Sequence, residues 1–510
     1  MMNDFSSAFA DHACSPRGGG ALPGGATLGA AGGSACGDFL TFGLVPSGGR
    51  IAEAGFVAEG CAALTACASV VTEMITGKEL LTAAQLGREK IAGELGGLSP
   101  ERRHAAVLAE EALHRALGAL LAEEGRPLLA AAPGRVLVGL SGGVDSAVAA
   151  RTLIDAGRQT IGVTLQLWDD PATDGTASCC SPQAVSEARR MAHALGMAHF
   201  TVDLRDDFRR GVVDPYLEAF EHGLTPNPCV GCNGHVRFDA LDALRARLGA
   251  QSLATGHYAR IEGDDIGPLL AAAADSGKDQ TYMLAAVEPK LLARLEFPLG
   301  ELTKPEVRER ARAAGLAVAE KPESQDLCFL AGIGRDGFVN RHADRGDDPG
   351  PILNIAGDPI GEHRGAWRFT VGQRRGLGIA APEPLYVLDV DPDENAVVVG
   401  PAAELTTWSV RLIGARLMRD GSEVDCVKLR YRTAATACRI PGDLPAGHHR
   451  ELQLDLIDPA SGAAPGQIAC LMRGQSVVGW ATIARTPPQR GAKLPGDELQ
   501  RDPRDISVVL

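Results

Sequence analysis

Three groups of residues in this 510-residue chain have types and spacings that do chemistry. The first is Ser141-Gly142-Gly143-Val144-Asp145-Ser146, between the apolar run RVLVGL (135–140) and SAVAARTLIDAG. Two glycines let backbone N–H groups approach an anion, a following helix N-terminus adds partial positive charge, and the serine hydroxyls donate hydrogen bonds. This is a phosphate loop in which Asp145 could hold Mg2+ against phosphate oxygens. It lacks the lysine of the usual nucleoside-triphosphatase motif. The second group is Cys229-x-x-Cys232, inside TPNPCVGCNGHVRF (225–238). Spacing alone leaves it open as a metal site, a redox pair or nucleophiles. The third is Cys328 in SQDLCFL (324–330), which taken alone reads as a small buried hydrophobe.

The elements that must position these groups follow from composition and periodicity. Residues 1–125 are rich in Gly and Ala and turn helical, with TACASVVTEMITG and RRHAAVLAEEALHRALGALLAEEG at helical spacing. Residues 126–134 read as a linker. From 135 to 345 short apolar strands alternate with helices: RVLVGL, SAVAARTLIDAG, TIGVTLQLW, AVSEARRMAHALG, HFTVDL. That pattern predicts a parallel sheet covered by helices. A small Gly-rich module is expected over 346–405. PLYVLDVD, AVVVG, VKLRYRT and VVGWATIA read as short strands, and 406–510 as an antiparallel β-barrel with a tail. The fold class is therefore multidomain α/β, with an α+β N-terminal domain.

The bulk numbers restrict the function. Fifty Lys and Arg against 64 Asp and Glu leave a net charge of -14. This argues against a protein coated with nucleic-acid-binding charge, though not against a local basic patch. The first residues carry no signal peptide, and no apolar run reaches membrane-spanning length, so no membrane partner is expected. Twelve cysteines without secretion signals fit a reducing cytoplasm.

SGGVDS after a strand resembles the PP-loop ATP pyrophosphatases, which adenylate a substrate and release pyrophosphate. ATGHYAR (254–260), KDQTYML (278–284), SQDLCFL, FTVGQRRGLGI (369–379) and LRYRT (429–433) follow in order. With TPNPCVGCN they resemble the bacterial tRNA 2-thiouridylases over roughly residues 133–485. That family adenylates the C2 oxygen of the wobble uridine and replaces it with sulfur. The resemblance implies ATP contacts at Gly139, Leu140, Ser141, Gly142, Gly143, Val144, Asp145 and Ser146, and at Leu165 and Gly256. It implies tRNA contacts at Asn227, Pro228, Cys229 and His257, at Lys278, Asp279 and Gln280, and at Arg430, Tyr431 and Gln467. Cys232 stands at the family's nucleophile and Cys328 at its persulfide carrier, which can pair with the nucleophile. Arg364, Arg368, Arg374 and Arg375 make the Gly-rich module locally basic, a candidate phosphate-binding surface.

Many members of that family have Asp where this chain has Cys229. Cys229, Cys232 and Cys328 together are a candidate [4Fe-4S] ligand set, which some related RNA thiolases use. A disulfide/persulfide relay and an inert third cysteine are the alternatives.

Residues 1–125 are not needed by a thiouridylase. DHACSPRGGG (11–20), SACGDFL (34–40), EGCAALTACASVVTEMITGK (59–78) and SPERRHAAVLAEEAL (99–113) resemble the U-type iron–sulfur cluster assembly scaffolds. Cys36, Asp38, Cys61 and His104 match the scaffold site; Ala105 replaces its third cysteine. Cys14 and Cys67 are nearby substitutes, and a docking module or helical oligomerisation domain is the plain alternative. Such a scaffold implies a cysteine desulfurase or other sulfur donor as partner, and fusion raises its effective concentration at the thiolase. Two rivals remain: another PP-loop ligase acting on a small molecule, and an iron–sulfur carrier with a regulatory ATP domain. Neither requires the RYRT and GQRRGLG segments.

Overall fold

The structure is a computed structural model that describes residues 6–33, 37–170, 181–321, 327–343 and 346–485. It divides into two compact units. One comprises Met1–Arg205, Asp239–His257 and Arg294–Phe329; the other comprises Asp206–Phe238, Tyr258–Ala293 and Leu330–Leu510.

The first unit opens with helix α1 (Ser7–Cys14) and an antiparallel meander of β1 (Thr27–Gly32), β2 (Phe39–Ser47) and β3 (Arg50–Glu59). Helices α2 (Ala62–Ile75), α3 (Leu80–Ala83), α4 (Arg88–Glu94) and α5 (Arg103–Ala122) follow. Helix α5 lies against β1, where a Cβ on Gly29 would come 2.0 Å from the Ala116 backbone nitrogen. The buried apolar face of α5 is broad: Ala105, Leu108, Ala112, Leu113, Leu117 and Leu121 are all buried, while Arg115 stays exposed. A helix of that kind is covered on more than one side. Its second neighbour is the next domain's sheet.

That sheet is wholly parallel, with strand order Leu295–Glu296, β7 (Ala250–Thr255), β4 (Ala132–Gly139), β5 (Gln159–Gln166), β6 (Ala198–Asp203). Val136, Leu137 and Val138 on central β4 are fully buried, as a strand covered on both faces must be. Helix α6 (Val144–Asp155) adds Ala150 and Leu153 to the core, and Ala192 comes from α7 (Pro182–Ala194). Ser181 caps α7, accepting a hydrogen bond from the Ala184 N–H at 3.1 Å, with Pro182 in the first turn. The expected strands and helices all form. β4 starts at Ala132, so the segment read as linker contributes its last three residues to the sheet through Ala132↔Ala250.

Helix α5 packs against edge strand β6, so closely that a Cβ on Gly118 would lie 1.9 Å from the Thr201 carbonyl oxygen. Arg88 joins the two layers: its Nε donates to Glu110 on α5 at 2.6 Å and its Nη2 to Ser186 on α7 at 3.0 Å.

The second unit holds the predicted barrel. Six antiparallel strands form a closed ring: Thr406–Leu417, Gly447–Ser461, Thr436–Arg439, Cys426–Lys428, Ile468–Arg473 and Ser476–Ile483, the last pairing back to the first. Leu412, Val427, Leu454, Leu471 and Val478 fill it. A hairpin of Arg260–Asp264 and Gly267–Ala271 extends the ring through Ser476↔Ala271, although it lies about two hundred residues earlier in sequence. The Gly-rich module is a four-stranded sheet of Pro359–His363, Gly350–Leu353, Ala396–Gly400 and Tyr386–Asp391 around Ile352, Val387 and Val397. LRYRT departs from expectation: the strand ends at Lys428, and Arg430–Thr433 is a turn in which the Thr433 hydroxyl donates to the Arg430 carbonyl at 3.0 Å. No helix among the described residues is long and apolar enough to cross a membrane.

Candidate functional site

In the first unit the chain order of the sheet reverses between neighbours β4 and β7, the place where open α/β sheets receive ligands beyond their C-terminal strand ends. Ser141–Ser146 leaves β4 there. Gly142 has φ +69°, a conformation that favours glycine. The Ser146 hydroxyl donates to the Gly143 carbonyl at 3.1 Å and accepts from the Ser141 N–H at 3.2 Å, which folds the loop onto the start of α6. Gly256, at the end of β7, touches the loop: a Cβ there would lie 2.6 Å from the Ser146 nitrogen. So Gly139 through Ser146 and Gly256 are brought together. Leu165 lies near the C-terminal end of adjacent β5. His257 follows Gly256, its Nδ1 2.8 Å from the Thr255 hydroxyl and its ring edge-on to Phe297.

Two lysines that the motif reading missed reach this loop. Lys304 Nζ donates to both Asp145 carboxylate oxygens, at 2.7 and 2.8 Å. Lys321 Nζ donates to the Gly142 carbonyl at 3.2 Å and to Glu187 at 2.9 Å. The latter bond holds the Glu187 carboxyl below its ordinary value. Neither lysine belongs to a short motif with the loop, so only the tertiary fold reveals them. Cys328 is also in this unit, half-buried in a turn beside Phe329, whose ring meets Trp168 edge-on at 6.4 Å. Ser324–Asp326 of its motif lie outside the described residues.

The second unit holds Asn227, Pro228, Cys229 and Cys232. The Asn227 side chain caps the short helix Pro228–Gly231 by accepting from the Cys229 N–H at 3.1 Å, and its Nδ2 reaches the Met283 sulfur at 3.5 Å. The chain then widens into a π-helical turn, Cys232–Arg237, a distortion common at functional sites. Cys232 is buried and Cys229 half-buried. Burial, reinforced by neighbouring Cys232, pushes the Cys229 thiol up to about 11, against a smaller opposing effect of Arg237. Among the described residues the cysteines are reduced, with no disulfide.

Several expected tRNA-contacting side chains, all half-buried, make internal bonds. Asp279 pairs with Lys428 at 2.8 Å and accepts from the Thr281 hydroxyl at 2.7 Å. Gln280 accepts from the Tyr258 N–H at 2.9 Å. Arg430 donates to the Val371 and Gly462 carbonyls, and Gln467 to the Thr225 carbonyl. Lys278 is half-buried, and Tyr431 lies 6.2 Å from Tyr282. In the Gly-rich module, Arg364, Arg374 and Arg375 are exposed. Arg368 is turned inward, 4.3 Å over Trp367 and paired with Asp336 and Asp347.

A separate cluster forms in the N-terminal domain, where Asp38, Cys61 and His104 bring ligand atoms within 4.8 Å of one another. Cys61 precedes α2 and its thiol donates to Asp38 Oδ2 at 3.2 Å; His104 Nε2 lies 3.0 Å from the same oxygen. Burial would raise the Asp38 carboxyl, but the bonds to Cys61 and His104 outweigh it and the net shift is downward. The Cys61 thiol is raised, by burial first and then by Asp38. Cys36 lies outside the described residues. Ala105 is fully buried in α5. Of the suggested substitutes, Cys67 is buried in α2 with its thiol pushed up to about 12 by burial, while Cys14 is exposed at the end of α1.

Comparison with known proteins matches three stretches of the chain. The model of the NifU-like N terminal domain matches residues 4–126. That of the tRNA methyl transferase HUP domain matches 134–332, and that of the tRNA methyl transferase PRC-barrel domain 336–401. A bifunctional protein NifU/MnmA of Rubrobacter xylanophilus is 43% identical over 487 residues, covering 93% of this chain and 97% of the relative. The tRNA-specific 2-thiouridylase MnmA of Chloroflexus aurantiacus is 42% identical over 352 residues, 69% of this chain and 98% of that protein. Its counterpart in Beutenbergia cavernae is 43% identical over 374 residues, 71% and 97%.

Proposed function

The chain belongs to the family of bifunctional NifU/MnmA proteins, and from that premise we propose how its residues carry out the reaction. It is a tRNA-uridine 2-sulfurtransferase with a fused NifU-like domain. The loop Ser141–Ser146, set against Gly256 at the point where the sheet order reverses, is the observation that carries the reading. Its backbone N–H groups and serine hydroxyls receive the phosphates of ATP, and Leu165 meets the adenine. Asp145 suits Mg2+: its carboxylate offers hard oxygens and already seats a cation, the Lys304 ammonium. When bound, the metal would neutralise phosphate charge as the α-phosphate is attacked.

The wobble uridine of tRNA is received by the Asn227–Cys229 loop. Its C2 oxygen attacks the α-phosphorus, the bond to the β-phosphate oxygen breaks, and pyrophosphate leaves. The terminal sulfur of a Cys328 persulfide attacks C2, and AMP departs with the original oxygen. The Cys232 thiolate then attacks the Cys328 sulfur, which releases 2-thiouridine and leaves a Cys232–Cys328 disulfide. A dithiol reductant supplies two electrons to restore the thiols, and a cysteine desulfurase or similar donor reloads the persulfide. Exclusion of water protects the adenylate from hydrolysis.

A second reading rests on Cys229. Cys229 and Cys232 share one helical turn and fit two of the three ligand positions of a [4Fe-4S] cluster, with Cys328 the third. Such a cluster would supply sulfide in place of the persulfide. In the N-terminal domain, Asp38, Cys61 and His104 are a mixed oxygen, nitrogen and sulfur donor set for iron cargo.

The test is pyrophosphate release by the full chain with ATP and Mg2+, with and without unmodified tRNA. Release that requires tRNA and disappears in Asp145→Ala is expected. Release driven by a metabolite without tRNA would replace this reading with a small-molecule ligase.

A further inference from the structure

Leu140, which directly precedes the loop Ser141–Ser146, is held by two bonds from β5. Its N–H donates to the Val163 carbonyl at 2.8 Å, and its carbonyl accepts from the Thr164 hydroxyl at 3.0 Å. That carbonyl and the Ser141 N–H belong to one planar trans peptide, so fixing the first aims the second. The Ser141 N–H in turn donates to the Ser146 hydroxyl, the bond that folds the loop. Thr164 has one hydroxyl hydrogen, and the Leu140 carbonyl takes it. His199 Nε2, 2.9 Å from the same hydroxyl, is therefore the donor to Thr164. Both residues are buried. Burial, with Arg189 nearby, pushes the His199 imidazole well below its ordinary value, so the ring is neutral and Nε2 carries its one hydrogen.

His199 stands on edge strand β6, where the N-terminal domain is seated. Its backbone N–H donates to the Ala84 carbonyl at 3.1 Å, and the same carbonyl accepts from His193 Nε2 of α7 at 3.1 Å. Gln85 Nε2 donates to the Gly196 carbonyl at 2.9 Å. Ala84 and Gln85, between α3 and α4, thus clasp the start of β6.

We propose that Thr164 and His199 are positioning residues for adenylation, and that the docked N-terminal domain braces the ATP loop through them. The inference rests on the reading of Ser141–Ser146 as the ATP loop. The bonds form one unbroken series from the Ala84 carbonyl through His199, Thr164 and Leu140 to Ser141. A loop that receives phosphates must hold its N–H groups in place before the reaction, because donors that have to reorient lose most of their effect. Loosening of the domain lets β6 shift, the imidazole leave Thr164 and the Leu140–Ser141 peptide turn. The fused domain thereby acts on the ATP step.

The test is tRNA-dependent pyrophosphate release by the full chain, with KM for ATP and kcat measured separately. Thr164→Val keeps the shape and loses the hydroxyl. Its kcat/KM for ATP should fall about 10- to 100-fold, the scale of a misplaced reacting group, with KM raised. A merely structural threonine would lower the active fraction, and so kcat, at unchanged KM. Thr164→Ser keeps the hydroxyl and should stay within a few-fold of wild type. An unchanged KM in Thr164→Val, or a serine variant as poor as the valine one, overturns the brace. Should Thr164→Val not fold, His199 decides. His199→Gln offers an amide N–H in place of Nε2 and should keep a lower KM for ATP than His199→Leu; equal values overturn the brace. On the domain side, Arg88→Ala removes the bonds that join Glu110 on α5 to Ser186 on α7. It should speed hydrogen exchange in residues 198–203 and raise KM for ATP several-fold, although Arg88 lies outside the loop. An unchanged KM overturns the domain's part. Wild-type protein that binds no ATP would overturn the ATP-loop reading itself, an outcome distinct from variants that match a working wild type.

Discussion

At the scale of single residues, burial sets the chemistry of Cys229. Cys229 keeps its proton at neutral pH because burial raises its thiol to about 11. Its labelling by iodoacetamide, followed by peptide mass spectrometry, should be slow near pH 8 and still rising beyond about pH 10. A plateau below about pH 9 would contradict that environment. Cys328→Ala should abolish 2-thiouridine formation while tRNA-dependent pyrophosphate release continues, since adenylation precedes sulfur transfer. Loss of both activities would place Cys328 in the ATP site. The phosphate loop and the cysteines could be read from sequence because their chemistry is local: two glycines, a carboxylate and a following helix are contiguous. Lys304 and Lys321 could not, because each is an isolated lysine whose partner in the loop is more than 150 residues away. Asp279, Gln280, Arg430 and Gln467 illustrate the same limit from the other side. A motif identifies a polar residue, but only the fold shows that its bonds are internal.

At the scale of elements, the hairpin Arg260–Ala271 shows how order in the chain differs from order in space. Nothing local says that it pairs with Ser476–Ile483. Asp264 in its turn region accepts from Arg419 at 2.6 and 2.9 Å and from Arg473 at 2.9 Å. These guanidinium groups hold its carboxyl far below the ordinary range. A depressed folded-state value stabilises the fold above the unfolded carboxylate value of about 3.9 and ceases to do so as pH falls through the folded value. Asp264→Asn should therefore lower the melting temperature at neutral pH, with the gap to wild type narrowing below about pH 3. A gap independent of pH would mean that packing, not charge, fixes the hairpin. The central strands were foreseen because continuous apolar runs such as RVLVGL have one economical place in an α/β fold. LRYRT, read as strand from its apolar and aromatic residues, becomes a turn because Arg430 is drawn to the Val371 and Gly462 carbonyls.

At the scale of the molecule, the N-terminal domain and the parallel sheet form one packed body within the first unit. A linear reading joins them by a linker; the structure joins them by α5 on β6, with Arg88 bonded to both Glu110 and Ser186. The sequence carried a sign of this in the breadth of the apolar face of α5, which a separate module with one partner would not need. Gly118→Val places side-chain atoms where the Thr201 carbonyl stands, and overpacking of this kind costs about 1–3 kcal/mol. The full chain should melt several degrees lower, with faster hydrogen exchange in residues 198–203. Unchanged protection there would show that α5 does not seat on the sheet. The fusion thus places the Asp38–Cys61–His104 cluster on the same body as the ATP loop, with His104 at the head of the docked helix. The central claim, ATP-driven 2-thiolation of tRNA uridine, is tested most directly by nucleoside mass spectrometry of unmodified tRNA incubated with the full chain, ATP, Mg2+ and sulfide under anaerobic conditions. The expected result is 2-thiouridine that requires ATP and vanishes in Asp145→Ala. Sulfur-free tRNA from protein that demonstrably binds and cleaves ATP would contradict it.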